Sequence, residues 1–280
     1  LALSLSTSIV RTMKKEVDAM RETAEERSER LLKSIQEQKI GLDEPFKFNC
    51  TMCGKCCINR EDIMLNPQDL FRAAKELGMT PFEFQQQYCE CYIGGTSRMP
   101  IIRLKPVGPT LRCPLLKGNR CAIHKSKPFV CAAFPIGRFM SAKQQEDGKI
   151  GEASEKIGYI FTDPHCGDKR KTHTVREWLA SFGLSVEDEF YPSWSKTMLE
   201  LSSFAREREK KTPESLMELL WKSFHVALYL DYDIEKDFYP QYLANVEKLT
   251  QLLGLLKQSI TLKKILSLKK NLRIIDIFSH

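Results

Sequence analysis

Ten cysteines crowd into the middle of a 280-residue chain, all of them between Cys50 and Cys166. The 49 residues before them and the 114 after them contain none. A disulfide-stapled secreted protein is usually short and bridged throughout. Here long cysteine-free flanks enclose one cysteine-rich block, the pattern expected where clustered thiols bind metal in a reducing compartment. The opening Leu1-Ala-Leu-Ser has neither the basic start nor the small-residue cleavage site of a signal peptide. A cytoplasmic location is therefore expected. No uncharged apolar run approaches the roughly 18–20 residues that span a bilayer, so no transmembrane segment is expected either.

Apolar residues make up 42% of the chain and charged residues 28%. That leaves ample material for a core and excludes a collagen-like or wholly disordered polymer. Residues 8–38 read as one charged amphipathic helix with Val10, Met13, Val17, Met20, Ala24, Leu31 and Ile35 near a 3–4 spacing. Such a helix packs one narrow face on the body or pairs with a partner helix. Gly41 to Phe48 reads as a linker. Asn66-Pro67 and Thr80-Pro81 are helix starts, each an N-cap followed by proline at the first helical position. Met99–Lys105 suits a strand, and Lys117-Gly118-Asn119-Arg120 suits a turn. Further on, Thr174 with Glu177, Thr212-Pro213-Glu214 and Pro240 each mark the start of a helix. The expected fold is mainly α, with an irregular cysteine-rich metal-binding region of short helices and room for a small hairpin. Three parts are expected: an N-terminal helix and linker (1–48), the cysteine-cluster region (49–171), and a C-terminal helical region packing on it (172–280).

The densest motif is Cys50-Thr-Met-Cys53-Gly-Lys-Cys56-Cys57. Two residues between successive thiolates let a tight turn aim both sulfurs at one ion or cluster. Gly54 suits such a turn because a backbone wrapping a metal often needs positive φ. Cys56 and Cys57 are adjacent, and neighbouring side chains tend to diverge, so Cys57 is expected to face a second site or an open position. Cys113-Pro114, Cys121-Ala-Ile-His124, Cys131-Ala-Ala-Phe134-Pro135 and Cys166-Gly167 follow. The candidate ligands are Cys50, Cys53, Cys56, Cys57, Cys113, Cys121, Cys131 and Cys166, enough for two four-thiolate sites or for one site with spare thiols. His124 and His165 are lesser candidates. Cys89 and Cys91 read as structural thiols or a local redox pair. The spacing of Cys50, Cys53 and Cys56 repeats that of bacterial ferredoxins, which favours an iron–sulfur cluster slightly over zinc.

These motifs resemble the YkgJ-type CxxCxxCC cysteine-cluster family, a zinc- or iron-chelating domain. The likeness covers about residues 48–170. The family's Arg-Pro is Lys127-Pro128 here, and its arginine after the next cysteine is Ala132, so a clamp built on those arginines is not expected. The cysteine region is also distantly similar to that of flagellin lysine N-methylases. That resemblance implies an iron–sulfur protein, S-adenosylmethionine as cosubstrate and a modifying enzyme. The readings that remain are such a metal-dependent protein, a zinc-stapled module that binds a protein partner, and metal storage or delivery.

Ten basic residues and no acidic one lie between Cys91 and Gln145: Arg98, Arg103, Lys105, Arg112, Lys117, Arg120, Lys125, Lys127, Arg138 and Lys143. They offset thiolate charge or present a site for an acidic ligand or protein partner. Nucleic acid is not expected, because no aromatics are interleaved with them in a recognisable module pattern. Lys257, Lys263, Lys264, Lys269, Lys270 and Arg273 make a basic stretch near the C-terminus. It reads as the solvated face of a last helix or, second, as a membrane-touching segment.

Overall fold

The computed structural model describes residues 24–144 and 150–275. Its first helix, α1 (Ala24–Gln38), ends where the sequence pattern ends. The stripe positions Val10, Met13, Val17 and Met20 lie outside the described residues. Two short strands follow, β1 (Lys39–Ile40) just before the segment read as a linker and β2 (Phe46–Asn49), which takes in that segment's last three residues. In β2, Phe46 and Phe48 are buried and Lys47 is exposed, the period-two alternation of a strand with one face on a core.

Two helix starts behave as their sequences require. Asn66 Oδ1 accepts from the Asp69 N–H at 2.8 Å, and Asp69 Oδ2 accepts from the Asn66 N–H, capping α2 (Pro67–Glu76). Thr80 and Glu83 repeat the arrangement for α3 (Pro81–Tyr88). A cap of this kind is worth about 1 kcal/mol. Between β2 and α2 lies β3 (Met64–Leu65). After α3 come β4 (Cys89–Ile93), β5 (Pro100–Leu104), the small hairpin β6 (Leu116–Lys117) and β7 (Arg120–Cys121), and α4 (Phe129–Ala133). A long pair follows, β8 (Ile136–Gln144) and β9 (Ile150–Phe161), and then β10 (Asp168–His173). The third capping box, Thr174 with Glu177, starts α5 (Val175–Ala180). The remaining helices are α6 (Phe190–Glu209), α7 (Glu214–His225) and α8 (Phe238–Ile275). Helix α7 closes at His225 and continues as a π-helical turn over Val226–Leu230. Helix α8 carries the basic stretch, whose side chains lie outside the described residues.

Among the described residues the fold is mixed α/β rather than clearly mainly α, with 48% helix and 19% strand. Strands β1, β2, β3 and β10 pair with segments far along the chain, which leaves no local signal of their pairing. Four antiparallel sheets form, in the orders β1-β9-β8, β10-β2, β3-β5-β4 and β6-β7. The first two tie residues 39–49 to residues 150–173: Ile40 lies opposite Tyr159, and Phe46 opposite His173.

Three clusters of buried side chains hold these elements. The largest takes Leu70, Phe84, Met99, Ile102 and Leu115 from the cysteine block and Leu201, Phe224, Leu228 and Leu249 from the C-terminal helices. A second gathers Ile40, Phe46, Phe48, Ala133, Ile136, Val175 and Trp178. A third is aromatic, with Phe71 against Phe190, Tyr232, Phe238 and Tyr242. Each such side chain contributes roughly 1.5–3 kcal/mol on burial. Cys113, Cys121 and Cys131 pack against the first cluster and Cys166 against the second, so both cores position cysteines.

Candidate metal centre

The strap from Cys50 to Cys57 leaves β2 with two residues in the left-handed region, Met52 and Gly54, the latter at φ 74°. Gly54 thus does what the motif predicted of it. Residues Lys55–Cys57 then close a 3₁₀ turn, with Cys57 N–H donating to Gly54 O at 2.9 Å. This turn brings neighbouring thiols together instead of apart: Cys56 Sγ and Cys57 Sγ are 3.8 Å from one another. The expectation that Cys57 faces elsewhere is corrected, because tight turning overrides the divergence of an extended backbone.

The strap is stitched to the second cysteine segment through its backbone. Cys113 N–H donates to Cys57 O at 2.8 Å, and Asn59 N–H to Thr110 O at 2.9 Å. The β6–β7 hairpin turns through Gly118 and Asn119, with Leu116 opposite Cys121. Arg112 braces it by donating to the carbonyls of Leu116 and Gly118.

Cys131 rides on α4, a five-residue helix fixed from outside. Asp69 Oδ1 accepts from the Phe129 N–H at 2.8 Å, and Trp178 Nε1 donates to Ala133 O at 2.9 Å. The Arg138 guanidinium lies between the rings of Phe129 and Tyr191, at 3.5 and 3.7 Å from their centroids, and pairs with Asp188. Ala132 is buried, so the family's arginine position is part of the core here. Cys166 sits between β9 and β10, before Gly167 at φ 70°. A Cβ on Gly167 would meet Asn49 O at 2.6 Å, so only glycine lets this bend close onto the end of β2.

Six cysteines line one cavity of about 480 Å³: Cys50, Cys56, Cys57, Cys113, Cys121 and Cys131. Cys166 lies beside Cys53, and burial with the neighbouring Cys53, Cys56 and Cys50 raises its thiol above the ordinary value. All ten cysteines are free thiols. Among the described residues, no three side chains of His, Cys, Asp or Glu are already drawn into a formed metal site. The donors are gathered in one place, and a metal would have to draw them the rest of the way. Cys89 is buried in the largest core and Cys91 is exposed on the same strand; neither lines the cavity. His124 does line it, whereas His165 is exposed beside Asp163.

The thiol electrostatics follow from this crowding. The Cys57 thiol donates to Cys56 and, with Lys127 and Arg60 nearby, pulls Cys56 down to about 6 against the effect of burial. Cys57 keeps the proton and is pushed up by Cys56, by burial and by Cys113 and Cys131. Burial also raises Cys113, Cys121 and Cys131. Thiols that repel one another's charge bind a cation well, since the cation removes the repulsion and stabilises every thiolate. An all-sulfur donor set suits zinc or iron.

Among the described residues, three of the ten cations in the basic run pair with carboxylates from outside it. Arg98 pairs with Glu209 over the Trp221 ring, and Arg103 pairs with Glu90. Arg138 and Arg112 are used as described above. Sequence reasoning missed Arg60, Asp69 and Trp178. Only Asp69 carried a signal, as the fourth residue of Asn66-Pro-Gln-Asp69, the N3 position of a capped helix.

Residues 49–154 match the model of the CxxCxxCC family, described as a putative zinc- or iron-chelating domain. No curated protein and no solved structure matches the chain.

Proposed function

We propose, from the premise of a zinc- or iron-chelating domain over residues 49–154, that this protein holds a thiolate-bound metal centre, with an iron–sulfur cluster as first choice. Its ligands are drawn from Cys50, Cys53, Cys56, Cys57, Cys113, Cys121, Cys131 and Cys166. The observation that carries the reading is the set of six cysteines on the wall of one cavity of about 480 Å³. Six thiols exceed the four that one tetrahedral zinc or one cubane cluster takes, and the ferredoxin-like spacing of Cys50, Cys53 and Cys56 supports the cluster as first choice. In this reading residues 49–171 form the metal region, flanked by 1–48 and 172–280. The enzymatic extension, with S-adenosylmethionine as cosubstrate, rests on the resemblance to flagellin lysine methylases.

A zinc staple is the second reading. It is favoured by Cys113, Cys121 and Cys131 packing directly against the largest core, where a metal would fasten the strap, the hairpin and α4 to one another. Metal storage or delivery is a third reading, supported by the exposure of Cys50 and Cys53.

Iron, zinc and acid-labile sulfide measured on protein purified without oxygen, beside a visible spectrum, test these readings. Brown protein with matched iron and sulfide is the expected result. Colourless protein with tightly held zinc would replace the first reading by the second. Protein that holds no metal would overturn all three.

A further inference from the structure

Helix α1 meets the rest of the fold at its C-terminal end. Ser34, Ile35 and Gln38 are half-buried there, Thr162 Oγ1 donates to Gln38 Oε1 at 2.6 Å, and the chain passes directly into β1. One turn earlier the cover ends. Leu31 is 60% and Leu32 61% exposed, with Glu29, Lys33, Gln36 and Glu37 also exposed. Leu31 shares a helix face with Ser34 and Ile35, three and four residues further on. The face that touches the body at one end of α1 therefore stands in solvent at the other, and it still carries leucine.

The sequence upstream continues that face as a strict heptad. Written abcdefg, Val10, Val17, Ala24 and Leu31 fall at a, and Met13, Met20, Arg27 and Ser34 at d. A helix lying on a globular core carries a wider apolar face with a 3.6-residue period, whereas alternating steps of three and four make the narrow seam of a coiled coil. Valine at a favours two parallel strands. In a parallel pair each g position meets the e position of the partner's next heptad. Glu16 is at g and Arg21 at e, so two copies of this chain set Glu16 against Arg21 on both sides of the seam. Arg27 is a polar interruption of the kind that fixes register at a cost in stability.

We propose that residues 10–34 pair with the same segment of a second copy of this chain as a parallel two-stranded coiled coil. The repeat is self-complementary in both its apolar seam and its flanking charges, which makes a second copy the partner it fits. The proposal is independent of the metal reading: among the described residues, none from α1 belongs to the buried clusters against which the cysteines pack.

Sedimentation equilibrium of the full chain tests the assignment, on protein purified without oxygen and kept reduced so that exposed thiols form no bridge between copies. A dimer that dissociates on dilution is expected. Leu31→Lys, in the seam, should raise its dissociation constant at least on the order of tenfold. Leu32→Lys, at an equally exposed neighbour outside the seam, should leave it unchanged. Arg27→Leu should tighten the dimer, an effect that a misfolded variant cannot imitate. Glu16→Arg should weaken it, and the double variant Glu16→Arg, Arg21→Glu should restore it. Metal content is expected to be the same in every variant. A monomer at all concentrations or a trimer would overturn the proposal. So would equal effects of Leu31→Lys and Leu32→Lys, or an Arg27→Leu variant that associates no more tightly. A charge-swapped double variant as weak as Glu16→Arg alone would overturn the parallel register.

Discussion

Asp69 carries more of the site than its distance along the chain from Cys131 suggests. One oxygen completes the cap of α2 and the other holds the first N–H of α4. Replacing it by alanine leaves both donors without an acceptor in a buried setting, a loss of about 1–3 kcal/mol. Asp69→Ala is expected to lower the unfolding free energy measured in urea by that amount and to reduce metal retention, because α4 positions Cys131. Unchanged stability with full metal content would show that α4 is held by its other contacts. A second residue sets a pH response away from the thiols. His225 Nε2 meets Gln85 Oε1 at 2.7 Å, and burial lowers the imidazole below its ordinary 6.5. A lowered folded-state value means that the unfolded chain takes up the proton more readily. The contribution of His225 is therefore intact above about 6.5 and is lost as pH falls through its folded value. Denaturant melts between pH ~7.5 and ~5 should show stability falling with acidification, and His225→Gln should flatten that fall. An equal slope in the variant would assign the effect to other groups.

At the scale of elements, two glycines separate conformational strain from steric strain. Gly54 and Gly167 both have positive φ, yet a Cβ on Gly54 meets nothing within 4 Å while one on Gly167 runs into a backbone carbonyl. Gly54→Ala should lose only about 1–2 kcal/mol for the left-handed backbone. Gly167→Ala should lose more, since the β9–β10 bend must move off β2 and carry Cys166 with it. Thermal melts of the two variants would check the ranking, and equal losses would contradict it. These elements also show what could be read in advance. Asn66-Pro67, Thr80-Pro81 and Thr174 with Glu177 announced their helices because a cap is a local interaction. The turn Lys117–Arg120 and the strand near Met99–Lys105 were legible for the same reason. The β2 alternation of Phe46, Lys47 and Phe48 was available but passed as linker.

At the scale of the molecule, the cysteine spacing pointed to the thiols that converge, but not to how they converge. That depends on pairings between distant segments: β2 with β10, the strap with Cys113, and Asp69 with α4. Nothing local in the sequence encodes these contacts. The same holds for charge, where three cations of the run, Arg98, Arg103 and Arg138, meet Glu209, Glu90 and Asp188 brought in by the fold. No helix among the described residues is long and apolar enough to cross a membrane. The central claim is that metal is held by the cysteines that line and flank the cavity. X-ray absorption fine structure at the metal edge reads its neighbours directly. Sulfur scatterers at about 2.3 Å, in a number that falls in a Cys113→Ser, Cys131→Ser double variant, are predicted. A first shell of nitrogen and oxygen alone, or a sulfur shell unchanged by that double substitution, would contradict the account.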